Sequence, residues 1–139
     1  MSYDSFYSIW LHLDNIQLSI VIPIKDIDHW KRNIIKNVDL FKKSDLNHEF
    51  LFVYSSKTDK SVTNLQKIFE KEKNIFFCLD NGNSIYSAMN KGIESSQGSF
   101  LIFIGADDSF NQSQISTFTG TLQNNYSDLI LFEVLFKEE

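Results

Sequence analysis

The sequence predicts an α/β fold in which a largely parallel sheet carries helices on both faces. Five short apolar runs alternate along the chain with four segments whose apolar residues recur at helical spacing. The runs are almost continuously apolar, which is typical of strands that helices cover on both sides. The predicted order of elements is therefore βαβαβαβαβ.

Each predicted strand is an apolar run that ends in a polar loop, and the first run ends at the only proline. Residues 1–16 are apolar without a clean period, and we interpret them as an N-terminal extension. The predicted strands span residues 18–23, 50–54, 75–79, 100–104 and 128–136.

Four amphipathic helices are predicted between the strands, each with an apolar stripe that faces the sheet. Asp28 is the expected cap of the first helix and Ser84 that of the third, which Gln97-Gly98 closes. The stripes consist of Trp30, Ile34, Val38 and Phe41; Val62, Leu65, Ile68 and Phe69; Ile85, Ala88, Met89, Gly92 and Ile93; and Ile115, Phe118 and Leu122.

The composition limits the classes of function. The 139 residues, 42% of them hydrophobic, are enough for one domain with a buried core. A net charge of −5 argues against a nucleic-acid-binding surface, which is usually basic. The single cysteine, Cys78, excludes an internal disulfide and fits a reducing compartment. With no apolar run near the ~18 residues that span a bilayer and no signal peptide, the sequence predicts a cytoplasmic protein.

Polar clusters follow the predicted strands, where open α/β sheets bind their ligands. They are Lys25-Asp26, Ser55 to Asp59, Asp80 to Asn83 and Asp107-Asp108. The second cluster lacks the glycines of a P-loop or a dinucleotide fingerprint, so those two nucleotide-binding modes are excluded.

The Asp107-Asp108 pair has two interpretations that the spacing leaves open. A fully apolar strand delivers both carboxylates through a small Gly-Ala step, and such hard oxygen ligands suit Mg²⁺ or Mn²⁺. In the other interpretation, Asp108 or Ser109 caps the helix predicted at 111–123.

Two segments carry a family resemblance. Residues 85–93 read Ile-Tyr-Ser-Ala-Met-Asn-Lys-Gly-Ile, and after Gly98 residues 103–108 read Phe-Ile-Gly-Ala-Asp-Asp. With weaker support from residues 18–26 and 50–61, they resemble the GT-A domain of bacterial family 2 glycosyltransferases. The resemblance covers residues 17–136. It implies a Rossmann-like GT-A domain over 17–139 that is incomplete at its C-terminus and forms the N-terminal, donor-binding half.

The resemblance implies an inverting transfer of a sugar from a nucleotide-diphosphate donor, with a UDP-sugar as the first expectation. The acceptor would be a glycan or a lipid-linked molecule in bacterial surface polysaccharide synthesis, at the inner face of the membrane. Asp107 and Asp108 would hold Mn²⁺ or Mg²⁺, which neutralises the departing diphosphate. No catalytic base is assigned, since the family's second half usually carries it.

The resemblance also implies a set of donor-binding residues. It comprises Pro23, Ile24, Lys25, Tyr54, Ser55, Ser56, Thr58, Asp59, Tyr86, Ser87, Asn90, Lys91 and Asp107. This sequence departs from the family at several of them. Tyr54 and Ser55 stand where an Asp normally reads the base, Ser87 replaces an Asp, and Ile24-Lys25 replaces Thr-Tyr.

Two alternatives stay open. One is a non-catalytic nucleotide-sugar-binding or interaction module of the same fold. The other is an unrelated doubly wound protein such as a receiver-like phosphoacceptor, which needs an acidic pair after the first strand where only Asp26 stands. An exposed sheet edge would also allow a homodimer.

Overall fold

The computed structural model describes residues 15–55, 59–124 and 128–131. These residues form four strands and four helices that alternate along the chain. The elements are β1 (Leu18–Pro23), α1 (Ile27–Lys42), β2 (His48–Tyr54), α2 (Asp59–Ile68), β3 (Ile75–Leu79), α3 (Ile85–Ser95), β4 (Phe100–Phe103) and α4 (Gln112–Asn124).

The four strands form one parallel sheet in the order β3-β2-β1-β4. In its register, Ile20 of β1 lies between Phe50 of β2 and Ile102 of β4. The chain first adds strands on one side of β1 and then returns to add β4 on the other side. The order of strands therefore reverses between β1 and β4, which is where open α/β sheets form a ligand crevice.

The larger part of the core lies on the sheet face that α1, α2 and α4 cover. Ile20 and Ile22 point to this face together with Phe50 and Phe52, because alternate residues of a strand share a face. The ring of Phe41 in α1 meets the ring of Phe50 edge-on, with centroids 5.6 Å apart. Such edge-to-face pairs add about 0.5–1.5 kcal/mol to the burial of the rings.

Helix α3 covers the opposite face of the sheet, over the buried residues Val21, Leu51 and Val53. A Cβ on Gly92 would lie only 2.3 Å from Val21 Cγ1, so a glycine lets α3 approach β1 this closely. Cys78 packs half-buried at the margin of this small cluster. The predicted helices on both faces of the sheet are thus confirmed.

The predicted apolar stripe of α3 is wrong at its two ends. Ile85 is 60% exposed and Ile93 is 51% exposed. Gly92 is buried against β1, and Ala88 packs against the same cluster. The contact surface between α3 and the sheet is too narrow to bury all five residues of the stripe.

The helix starts agree with the predictions in one case and differ in another. Ser84 caps α3, since its Oγ accepts a hydrogen bond from Ser87 N at 3.1 Å, as predicted. The predicted cap of α1 by Asp28 is wrong, because Asp28 lies inside the first turn. Asp26 is the N-cap residue, with left-handed backbone angles φ 55° and ψ 47° and no side-chain cap hydrogen bond.

The predicted fifth strand lies mostly outside the described residues. Residues 128–131 have no regular secondary structure, and residues 132–136 are not described. The predicted extension over 1–16 is described only from residue 15. Across the described parts of the chain, the helices are too short or too polar to traverse a lipid bilayer.

Candidate functional site

The carboxyl ends of β1 and β4 lie side by side and frame the candidate site. Just after β4, Ile104 N donates to Val21 O of β1 at 3.0 Å, which brings the segment after β4 against β1. On the other side, Ile24 N donates to Val53 O at 2.8 Å. The predicted site residues Pro23, Ile24 and Tyr54 therefore share one edge of the sheet with the turn that follows β4.

Residues 105–108 form a tight turn that the Asp108 carboxylate closes. Asp108 N donates to Gly105 O at 3.2 Å, and Gly105 N donates in return to Asp108 Oδ2 at 2.5 Å. A Cβ on Gly105 would lie 2.4 Å from Asp107 Oδ1 and 3.2 Å from Asp108 Oδ2. Both carboxylates therefore lie over Gly105, and a side chain there would displace the Asp107 carboxylate from this position.

The cap interpretation of Asp108 or Ser109 is wrong. Asn111 caps α4, because its Oδ1 accepts from Gln114 N while Gln114 Oε1 accepts from Asn111 N, both at 2.9 Å. This reciprocal pair is a capping box. The carboxylates of Asp107 and Asp108 are thus not needed to start the helix.

The acidic pair fits a hard divalent cation. Both side chains are exposed, and within the described ranges neither forms an ion pair with a lysine or arginine. Those ranges contain no cluster of three or more metal-ligating side chains. Two carboxylates suffice for Mg²⁺ or Mn²⁺ when diphosphate oxygens and water complete the coordination. The donor set of the turn therefore suits a metal–diphosphate complex better than a metal ion alone.

Two asparagines of α1 hold the backbone of the acidic turn, and neither was predicted from the sequence. Asn33 Nδ2 donates to Ala106 O at 2.8 Å and to Asp108 O at 2.6 Å. Asn37 Nδ2 donates to Asp108 O at 2.7 Å, and its Oδ1 accepts from Phe110 N at 3.2 Å. Asn37 is 1% exposed. The sequence held one signal for this role, since the polar Asn37 lies among the residues of the predicted apolar stripe of α1.

The loop between β3 and α3 is organised around Asp80. Its Oδ1 accepts from Gly82 N at 3.2 Å and from Ser87 Oγ at 2.9 Å. Asp80 N donates to Tyr54 O, which ties this loop to the end of β2. The hydroxyl of Ser87, a predicted donor-binding residue, is thus bonded within the protein.

The remaining predicted residues belong to several elements, and two of them fall outside the described residues. Lys25 is exposed after β1, and Ser55 is half-buried after β2. Tyr86, which is 74% exposed, lies with Asn90 and Lys91 on α3, across the sheet from α1. Ser56 and Thr58 fall outside the described residues, and Asp59 is described only as the first residue of α2.

Comparison with known proteins identifies the family. The model of the family described as glycosyl transferase family 2 matches residues 19–138, which is most of the chain. The chain belongs to glycosyl transferase family 2. The resemblance carried by residues 85–93 and 103–108 is confirmed.

Relatives of this family 2 chain are themselves described as glycosyltransferases. An uncharacterized glycosyltransferase of Rickettsia conorii is 27% identical over 103 residues, which is 74% of this chain and 17% of that protein. A PGL/p-HBAD biosynthesis glycosyltransferase of Mycobacterium bovis is 27% identical over 95 residues, or 64% of this chain and 36% of that protein. The family 2 chain thus spans only a small part of each relative's length.

Solved structures confirm the predicted GT-A fold. The crystal structure of S. aureus TarS residues 1–349 matches with a TM-score of 0.64 at 19% identity, covering 81% of this chain and 34% of that TarS chain. The structure of the same TarS segment in complex with UDP matches with a TM-score of 0.63 at 18% identity, covering 81% and 33%.

Proposed function

We propose that this family 2 chain binds the nucleotide-diphosphate sugar donor of an inverting glycosyltransferase, with the diphosphate end at Asp107 and Asp108. The observation that carries the proposal is the placement of both carboxylates over Gly105 beside β1, where the strand order reverses. The UDP complex of the similar TarS structure supports UDP as the nucleotide. Residues 17–139 would form this domain and residues 1–16 an extension.

At the diphosphate end, the two carboxylates would hold Mn²⁺ or Mg²⁺ in different ways. When bound, the ion supplies Lewis-acid neutralisation of the negative charge on the leaving diphosphate. Asp108 already uses one oxygen to close the turn through Gly105 N. Asp107 is exposed, and no described hydrogen bond or ion pair engages its carboxylate. We therefore assign Asp107 the stronger contact with the metal ion. Asp108 would both bind the ion and close the turn.

At the nucleoside end, Pro23, Ile24 and Lys25 would form one wall and the Tyr54–Ser55 segment another. The hydrogen bond from Ile24 N to Val53 O holds these walls side by side. Without an Asp at Tyr54 or Ser55, base recognition would use backbone groups and hydroxyls. Tyr86, Ser87, Asn90 and Lys91 would contribute from α3, and Ser56, Thr58 and Asp59 from the loop before α2.

The acceptor would be a glycan or a lipid-linked molecule in cell-envelope synthesis at the inner membrane face. The mycobacterial relative, named for PGL/p-HBAD biosynthesis, supports an envelope role. We leave the catalytic base unassigned among the described residues. Because the chain spans 17% and 36% of these relatives, acceptor binding would require further structure or a partner, such as a second copy of the chain.

Thermal unfolding with Mn²⁺ and UDP tests the proposal. Ligand at about 100 times its Kd should stabilise the folded state by roughly 2.7 kcal/mol, which raises the Tm by several degrees. Asp107→Asn should reduce the shift to that produced by UDP without Mn²⁺, and Asp45→Asn, a change at an exposed acid after α1, should retain the full shift. If no nucleoside diphosphate shifts the wild-type Tm, the chain does not bind this donor class.

A non-catalytic donor-binding module is the second candidate. The internal hydrogen bond of Ser87 to Asp80, at a position where the family has an Asp, favours it. Assays of UDP release from several UDP-sugars, with and without acceptor, distinguish the two. Binding without turnover would support the module, and turnover would support the enzyme.

A further inference from the structure

We infer that Asn33 and Asn37 are positioning residues for the diphosphate end of the donor site, an inference that rests on the proposed function. Both lie on α1, one helical turn apart, and therefore on the same face of the helix. Neither belongs to the set of donor-binding residues that the family resemblance implied. Their amides act on the acidic turn through its backbone only.

The two side-chain amides form hydrogen bonds with the backbone of the turn before and after Asp107. Three N–H groups point at two carbonyl oxygens, with Ala106 O on one side of Asp107 and Asp108 O just beyond it. Asn37 Oδ1 in addition accepts a hydrogen bond from Phe110 N. Because backbone atoms are the partners, the two carboxylate side chains stay available for a ligand. The turn is thus anchored before any ligand arrives.

The hydrogen bonds from the two asparagines oppose the repulsion between the carboxylates of Asp107 and Asp108. Two adjacent carboxylates over one glycine repel each other, and the turn's own closure consists of two hydrogen bonds between Gly105 and Asp108. Without the amides, residues 105–110 could relax and separate the charges. A metal–diphosphate complex would then have to order the turn as it binds, which weakens affinity.

The chemistry requires neutral amides at these positions. Asn33 Nδ2 lies 2.6 and 2.8 Å from two carbonyl oxygens, so the atom there must carry hydrogens. A carboxylate of the same shape would put an anionic oxygen against both carbonyls. Asn33→Asp should therefore perturb the site more than Asn33→Leu, although it is the closer match in size and polarity.

The test compares the dissociation constant of UDP with and without Mn²⁺, measured by titration calorimetry on the full chain. We expect Asn33→Leu to weaken Mn²⁺-dependent UDP binding about 10- to 100-fold, the range typical for residues that orient metal ligands. Binding of UDP without metal should stay as in wild type. Asn64→Leu, at an exposed position of α2, is the matched control and should bind as wild type does.

The outcomes separate this inference from the proposed function. If wild type shows no Mn²⁺-dependent UDP binding, the proposed function fails and the inference fails with it. If wild type binds and Asn33→Leu binds equally well, only the positioning role is overturned. A purely structural role would lower the Tm without changing the ratio of the two dissociation constants. Should Asn33→Leu not fold, Asn33→Ser replaces it, with an expected loss of at least several-fold.

Discussion

The carboxylate of Glu49 accepts a hydrogen bond from the Ser19 hydroxyl at 2.6 Å, and both side chains are almost completely buried. The same Glu49 oxygen accepts from Gln97 N at 2.7 Å, and Ser19 Oγ accepts from Gly98 N at 2.8 Å. The pair thus joins β1 and β2 to the segment that enters β4. It aligns the sheet at the end opposite the candidate site.

Ser19→Ala should destabilise the fold, because it leaves Glu49 with one donor fewer and Gly98 N without its acceptor. Leaving such buried groups unsatisfied costs about 1–3 kcal/mol. Urea unfolding should show a lower midpoint with an unchanged slope. Ser113→Ala on exposed α4 surface should change the stability by less than about 0.5 kcal/mol. Equal midpoints for the two variants would contradict the role given to this network.

Gly92 and Gly120 should respond in opposite directions to the same substitution by alanine. At Gly92 the new Cβ would meet Val21 Cγ1 at 2.3 Å, and such overpacking typically costs 1–3 kcal/mol. At Gly120 no atom lies within 4 Å of the new Cβ, so the better helix propensity should add up to about 1 kcal/mol. Thermal unfolding of both variants checks the pair. A Gly92→Ala protein as stable as wild type would show that α3 can move away from β1.

His48 should make the stability depend on pH below neutrality. Burial lowers the pKa of its imidazole, while a hydrogen bond from Nδ1 to Leu46 O at 2.8 Å opposes that shift in part. The unfolded chain therefore binds this proton more readily than the folded protein. As the pH falls below the ordinary pKa of 6.5, the free energy of unfolding should fall by at most about 1.4 kcal/mol per pH unit.

Urea titrations at pH 7.5 and 5.5 measure this effect. His48→Phe removes the titrating group and should reduce the difference in stability between the two pH values. His29→Gln, at an exposed histidine of α1, is the control and should keep the wild-type difference. An unchanged difference in His48→Phe would assign the pH dependence to other groups.

Asp107→Ala and Asp108→Ala should differ in stability, although both should weaken the proposed metal binding. Asp108 closes its turn by accepting from Gly105 N, and losing one hydrogen bond to a charged group costs about 1.5–3 kcal/mol before solvent exposure reduces it. Asp107→Ala removes one of two repelling charges and should leave the Tm unchanged or higher. Calorimetric melting without ligand, followed by Mn²⁺ titration in the presence of UDP, separates the two roles. Equal melting temperatures would show that the carboxylate does not hold the turn.

The strands were predictable from sequence because their signal is local. β1 and β3 span the predicted residues 18–23 and 75–79 without a shift, since polar residues or the proline end each apolar run at once. The carboxyl-edge location of Asp107 and Asp108 followed from the same runs. The family resemblance added the GT-A fold, which the comparisons confirm.

The contacts that shape the site were not predictable, because they join residues far apart in the sequence. The Asn33 amide meets carbonyls 73 and 75 residues further along the chain. Helical spacing indicates which face of α1 is buried, and it does not indicate which backbone passes across that face. The predicted cap of α3 by Ser84 was right, while those of α1 and α4 were wrong. Asp26 and Asn111 took the positions expected for Asp28 and for Asp108 or Ser109, because local turn geometry rather than residue type decides between such neighbouring residues.

The packing of Cys78 beside the cluster under α3 provides a chemical probe of that helix. The chain has one cysteine, so a thiol-reactive reagent has a single target. No other cysteine has to be removed by mutagenesis first. Since Cys78 packs against this cluster, its modification rate would report how accessible the thiol is to the reagent. Comparing the modification rate with and without nucleotide would show whether a ligand changes the accessibility of this thiol.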